Sequence, residues 1–159
     1  MASVTILTVG TLKEGYLREG IAEYCKRISA YAECDIRECR EERIRDEDNR
    51  QEIEAALNAE GERLLAAVPK GAYTVALCVE GKSLDSPALA GLLSEAIDRS
   101  GKICFIIGSS HGLSESVKHS SDFRLSFSSL TFPHQLMRLI LTEAVYRSLT
   151  ILAGKRYHK

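Results

Sequence analysis

Short apolar runs alternate with longer stretches of helical periodicity along the whole chain, and that alternation limits the fold more than any other feature. Residues 4–9, 34–39, 73–79, 103–107 and 123–127 read as strands. The first helix carries Leu17, Ile21, Tyr24, Cys25 and Ile28 on one face, behind a Thr11 and Glu14 capping box. Asn49 and Glu52 cap a second helix lined by Ile53, Leu57, Leu64 and Leu65. Ser86 as N-cap with Pro87 at the first helical position opens a third, which Gly101 closes. A short helix over 114–119 and a long one over 134–153 follow, the latter with Met137, Ile140, Leu141, Ala144, Val145 and Leu149 inward. Residues 40–48 are charged and read as a solvated loop.

Strands separated by helices imply βαβ units, hence a parallel sheet covered on both faces. Such sheets bind ligands beyond the carboxyl ends of their strands. Here those ends are 77–81, 108–112 and 127–133, so three loops are expected to meet at one crevice. With 159 residues and neither a repeat nor a linker, a single α/β domain over 1–159 is expected.

No apolar run approaches the roughly 20 residues that span a bilayer. The start Met1-Ala2-Ser3-Val4 lacks the basic and apolar regions of a signal peptide, which predicts a cytoplasmic protein. Five cysteines without a C-x-x-C spacing read as reduced, mostly buried thiols. Neither they nor the four histidines have metal-ligand spacing, so no metal is expected. The net charge of −1 is uneven: six basic residues and one acidic make the section from Phe123 onward +5, leaving −6 before it. That section is a candidate basic face for RNA, although a weakly acidic chain does not grip naked nucleic acid by charge alone.

Gly81-Lys82-Ser83 has the ending of a phosphate-binding P-loop, but the required earlier glycine is Ala76, so that reading fails. Gly108-Ser109-Ser110-His111-Gly112 fits the nucleophile elbow of serine hydrolases, with Asp122 and then His134 or His158 as possible triad partners. The chain is too short for that hydrolase fold, which leaves a glycine-framed turn where backbone approaches a ligand. Pro133 pins the turn before the long helix, and Arg138 lies one turn beyond His134 on the same face. Glu143 and Arg147 have the spacing of a helix ion pair. Tyr157-His158-Lys159 places an aromatic ring, an imidazole and an ammonium together, a combination suited to stacking on a base and holding phosphate.

In order along the chain, Leu77-Cys78-Val79-Glu80-Gly81-Lys82, Ile107-Gly108-Ser109-Ser110-His111-Gly112-Leu113, Leu125-Ser126-Phe127-Ser128-Ser129-Leu130-Thr131-Phe132-Pro133-His134-Gln135 with Arg138, Tyr146-Arg147 and Tyr157-His158-Lys159 resemble the ribosomal large-subunit methyltransferase H family of the SPOUT superfamily. The resemblance includes the start Leu7-Thr8-Val9-Gly10 and the chain length. It implies a SPOUT-type parallel sheet flanked by helices, a C-terminal trefoil knot and a homodimer. It also implies S-adenosyl-L-methionine as cofactor, held by Leu77, Gly108, Phe127, Ser128, Ser129, Leu130, Thr131 and Phe132. The implied reaction is methylation of N3 of a pseudouridine in 23S ribosomal RNA on the assembled ribosome. The chain departs from the family at Ser109, where a second glycine is usual, and at Arg156, where a small residue or proline is usual.

Methyl transfer requires donor and acceptor in near-attack geometry and loss of a proton from the acceptor imide. The expected catalytic residues are His158 and Tyr157, reaching the partner subunit's crevice, and Arg138, neutralising developing charge or holding phosphate. A non-catalytic ribosome-associated module that keeps the pocket is the rival from another class.

Overall fold

The computed structural model describes residues 1–159. Its elements are β1 (Ser3–Val9), α1 (Gly15–Ile28), β2 (Glu33–Cys39), α2 (Arg50–Ala67), β3 (Tyr73–Ser83), α3 (Ser86–Ser100), β4 (Lys102–Ile106), α4 (Glu115–Ser120), β5 (Phe123–Ser126) and α5 (His134–Leu152). All strand pairs are parallel, in the order β2-β1-β4-β3-β5. The expected α/β sheet is therefore present.

Side chains on a strand alternate between faces, and here both faces are buried. Val4 and Ile6 of β1, with Ile103 and Phe105 of β4, pack on one side against Ile28 of α1, Leu93 of α3 and Leu141 of α5. Leu7 and Val9, with Cys104 and Ile106, pack on the other side against Leu64 of α2 and Val117 of α4. The thiols depart from expectation: all five are free but only Cys104 is buried, and the Cys25 and Cys34 sulfurs lie 3.6 Å apart.

Strand β3 runs beyond the expected end at residue 79. Leu125 of β5 pairs with both Leu77 and Lys82, so the four residues between are looped out and pairing then resumes. Gly81 sits where a Cβ would lie 2.8 Å from the Arg124 and Leu125 backbone, which explains why no side chain is present there.

Two caps differ from the sequence reading. Helix α1 starts at Gly15 with Glu14 at its N-cap and no side-chain cap, so the Thr11 box does not form; the nearby Leu12 amide donates to Glu38 Oε2 at 2.8 Å. Helix α3 is capped by Asp85, one residue before Ser86, through a 2.9 Å bond from the Ala88 amide. Asn49 caps α2 as expected, accepting from the Gln51 and Glu52 amides. Glu52 instead receives the Arg45 amide at 2.6 Å and so ties down the 40–48 loop.

Two buried charges fix the strand ends. Arg138 of α5 is 2% exposed. It donates to Glu38 Oε2 at 2.7 Å and to the Val9 and Gly10 carbonyls at 2.8 and 2.9 Å. Glu60 of α2 is 3% exposed. Its Oε2 accepts the Glu42 amide at 2.9 Å, while Oε1 makes no hydrogen bond. Burial pushes this carboxyl above its ordinary range, against the pull of the Glu42 amide, the Ser109 hydroxyl and Arg63. Sequence periodicity alone did not single it out, although Glu60 falls in phase with Ala56 and Leu64 on the buried stripe.

A raised folded-state pKa favours the folded protein below the unfolded value of about 4.3, and that contribution is lost as pH rises through the folded value. Glu60→Gln removes the charge while keeping the acceptor for Glu42. Its unfolding midpoint is expected to exceed the wild type by on the order of a few degrees at pH 8, with the gain shrinking toward pH 4.5. Thermal unfolding across that range checks this; a midpoint lowered equally at every pH would contradict it.

Candidate active site

The carboxyl ends of β3, β4 and β5 open onto one crevice of about 330 Å³. Its walls come from the three loops expected to converge there: the looped-out segment of β3, the turn after β4 and the stretch between β5 and α5. Of the expected cofactor residues, Leu77, Gly108, Phe127, Ser128, Leu130, Thr131 and Phe132 line the crevice. Ser129 is exposed beside it and does not.

The turn after β4 forms the tightest wall. Its Gly112 amide bonds the Ser109 carbonyl at 2.9 Å, and Gly112 has φ +88°. A Cβ on Gly108 would fall on the Gly112 carbonyl, so position 108 admits only glycine in this conformation. Ser109, the departure from the family's glycine pair, is accommodated without strain because no residue other than glycine has positive φ. Its hydroxyl accepts the His111 amide at 3.3 Å. His111 Nε2 in turn meets Glu47 Oε2 at 2.7 Å, which anchors the 40–48 loop to this turn.

Glu80, Lys118 and His134 also face the crevice. Glu80 pairs with Lys118 at 2.5 Å, and that contact holds its carboxyl below the usual range. His134, the first residue of α5, lies in the lining half-buried. Burial lowers its pKa, against the pull of Glu41, and so favours the neutral imidazole.

The expected catalytic residues lie elsewhere. Arg138 does not line the crevice: one turn past His134 its guanidinium enters the core and is used on Glu38 and the β1 carbonyls. In this single chain its donors are committed to those partners. Tyr157 and His158 also lie outside their own chain's crevice. Tyr157 donates to Glu143 Oε1 at 3.0 Å and meets the Tyr146 ring edge-on at 4.7 Å. Arg147 stacks on the Tyr157 ring at 4.7 Å, bonds His158 Nδ1 at 3.2 Å and forms the expected ion pair with Glu143 at 2.7 Å. Burial, Tyr24 and Glu143 together raise the Tyr157 phenol pKa. The tail is thus docked on α5 and is not free.

The basic section from Phe123 does not form a single face. Arg138 is buried, Arg147 is paired, and Arg124 is exposed on the edge strand. The hydrolase arrangement is also missing: Ser110 bonds no histidine, and Asp122 is committed to the Thr74 amide and hydroxyl at 2.8 and 3.1 Å.

Comparison with known proteins gives the same picture. The family described as "Predicted SPOUT methyltransferase" matches residues 2–158. The ribosomal RNA large subunit methyltransferase H of Bacillus pumilus is 46% identical over 99% of both chains. That of Listeria monocytogenes is likewise 46% identical over 99% of both. Among solved structures, a probable methyltransferase from Bordetella pertussis has TM-score 0.55 at 14% identity, covering 93% of this chain and 95% of that one. A probable methylase family protein from Haemophilus influenzae has TM-score 0.52 at 12% identity, covering 98% and 70%. These structures support the fold alone, whereas the full-length sequence matches establish the relationship. The chain belongs to the ribosomal RNA large subunit methyltransferase H family of SPOUT methyltransferases.

Proposed function

We propose that this protein is an S-adenosyl-L-methionine-dependent methyltransferase acting on N3 of a pseudouridine in 23S ribosomal RNA, within the assembled ribosome. The carrying observation is the three-loop crevice with its glycine-only turn, in a chain of this family. The volume lies within the roughly 300–1,000 Å³ of small-molecule sites. Leu77, Phe127 and Leu130 offer apolar surface to an adenosine, and the absence of a side chain at Gly108 lets the turn fold back on Gly112 at the crevice wall. The residues present therefore fit the cofactor. When bound, it supplies an electrophilic methyl group.

The chain's own task is to place the acceptor nitrogen and remove its proton. The neutral His134 imidazole in the crevice lining is chemically suited to accept a proton. His158 and Tyr157, docked away from their own crevice, act in this reading on the partner subunit's site and orient the base there. A homodimer is thus part of the proposal. Val79 and Leu130, 62% and 71% exposed at the crevice mouth, supply apolar surface for a partner to cover. The C-terminal knot of the family is supported by the path of α5, which leaves edge strand β5 and packs on both α1 and α3. A net charge of −1 favours a target recognised by the shape of the ribosome over naked RNA. No helix is long and apolar enough to cross a membrane, and a ribosomal substrate places the enzyme in the cytoplasm.

Calorimetric titration with S-adenosylhomocysteine is expected to give saturable binding that Gly108→Ala weakens at least about tenfold through loss of the tight turn. Absence of binding to the folded wild type would favour the non-catalytic module. The trans arrangement is tested by mixing Gly108→Arg and His158→Ala subunits, each expected to be inactive alone. Mixed dimers carry one intact crevice facing one intact tail, so methylation of ribosomes should recover to about one quarter of wild type. No recovery, or full activity of His158→Ala alone, would overturn it.

A further inference from the structure

Lys82, Lys118, His119 and Arg124 line a groove next to the crevice that has only one hydrophobic residue in its wall. Lys82 and Arg124 stand 42 positions apart in the sequence and meet because β3 resumes pairing with β5 at Lys82. Gly81 allows the close approach of the two backbones between them. The acids of the groove are already committed. Asp122 accepts two bonds from Thr74, and Glu80 pairs with Lys118. Lys82, His119 and Arg124 are exposed, and no carboxylate lies within ion-pair distance of them. With Lys82, Lys118 and Arg124 set against Glu80 and Asp122, the groove carries a net positive charge in a protein whose net charge is −1.

We propose that this groove holds adjacent backbone phosphates of the ribosomal RNA, one at Lys82 and one at Arg124, and sets the register of the strand that presents the target nucleotide; this rests on the function proposed above. A guanidinium offers a fork of donors that matches phosphate oxygens, and an ammonium adds a point charge. Such contacts position a nucleic acid without reading its bases, which suits a single target site chosen by ribosome shape. Glu80 and Lys118 line both cavities, so one looped-out segment of β3 separates the phosphate subsite from the crevice. The groove also takes in Arg124, one of the four exposed basic residues of the C-terminal section, which the crevice does not use.

The test is co-sedimentation of the full-length protein with ribosomes over a potassium chloride series, with S-adenosylhomocysteine binding measured on the same preparations. Lys82→Glu combined with Arg124→Glu should weaken ribosome binding at least about tenfold and lower the salt slope by about two, with S-adenosylhomocysteine affinity unchanged. Lys82→Arg with Arg124→Lys, which keeps both charges, should bind as the wild type does. If the double reversal impairs folding, Lys82→Gln and Arg124→Gln singly should each lower the slope by about one. Wild-type affinity and slope in the reversed or neutral variants overturn the inference, as does a wild-type protein that fails to sediment with ribosomes. Sedimentation without methyl transfer would instead count against the proposed reaction while leaving the subsite standing.

Discussion

One guanidinium joins the two ends of this chain. Arg138, near the start of the last helix, bonds the carbonyls that end the first strand and a carboxylate at the end of the second. These partners lie 100 to 129 residues away in sequence. A buried cation is costly unless its partners are in place, and removing one partner leaves an uncompensated charge. The contact therefore fixes where α5 begins relative to the sheet. Because the stretch from Phe127 to Phe132 runs directly into α5, it also fixes one wall of the crevice. An arginine that the sequence offers as a ligand contact thus also holds the ligand site in shape.

The opposite wall depends on a second buried charge. Glu60 lies beneath the turn after β4 and receives the Glu42 amide from the neighbouring loop. Ser109, which replaces the usual glycine, takes the His111 amide on its hydroxyl and keeps an ordinary backbone conformation. The departure at Ser109 thus leaves Gly108 free to do what only glycine can do. With His111 held to Glu47, the charged 40–48 loop, the turn and α2 form one connected support behind the cofactor side of the crevice.

The strand–helix order and the meeting of three loops were legible in the sequence, because alternation and the carboxyl-end rule are local signals. Element ends were less so. Asp85 and Ser86 are both good caps, and the choice is made by backbone geometry at each residue. The box at Thr11 did not form, since α1 begins four residues later at Gly15. The full length of β3 was hidden because its pairing stops at Leu77 and restarts at Lys82. The partners of Arg138 were not legible because its helical spacing from His134 gives a shared face but not what that face meets. Tyr157 and His158 were recognised by family likeness, and their docking on α5 follows from Tyr146, Glu143 and Arg147. The basic groove was invisible, since Lys82 and Arg124 become neighbours only through strand pairing.

The central claim is a chemical one, that the crevice delivers a methyl group to one nitrogen of one modified base. The most direct measurement is mass spectrometry of nucleosides from the 23S RNA of unmethylated ribosomes after incubation with the protein and S-adenosyl-L-methionine. The account predicts N3-methylpseudouridine at close to one per ribosome, and none when free 23S RNA replaces the ribosome. No methylated nucleoside, or a methyl group on a ribose or on another base, would contradict it.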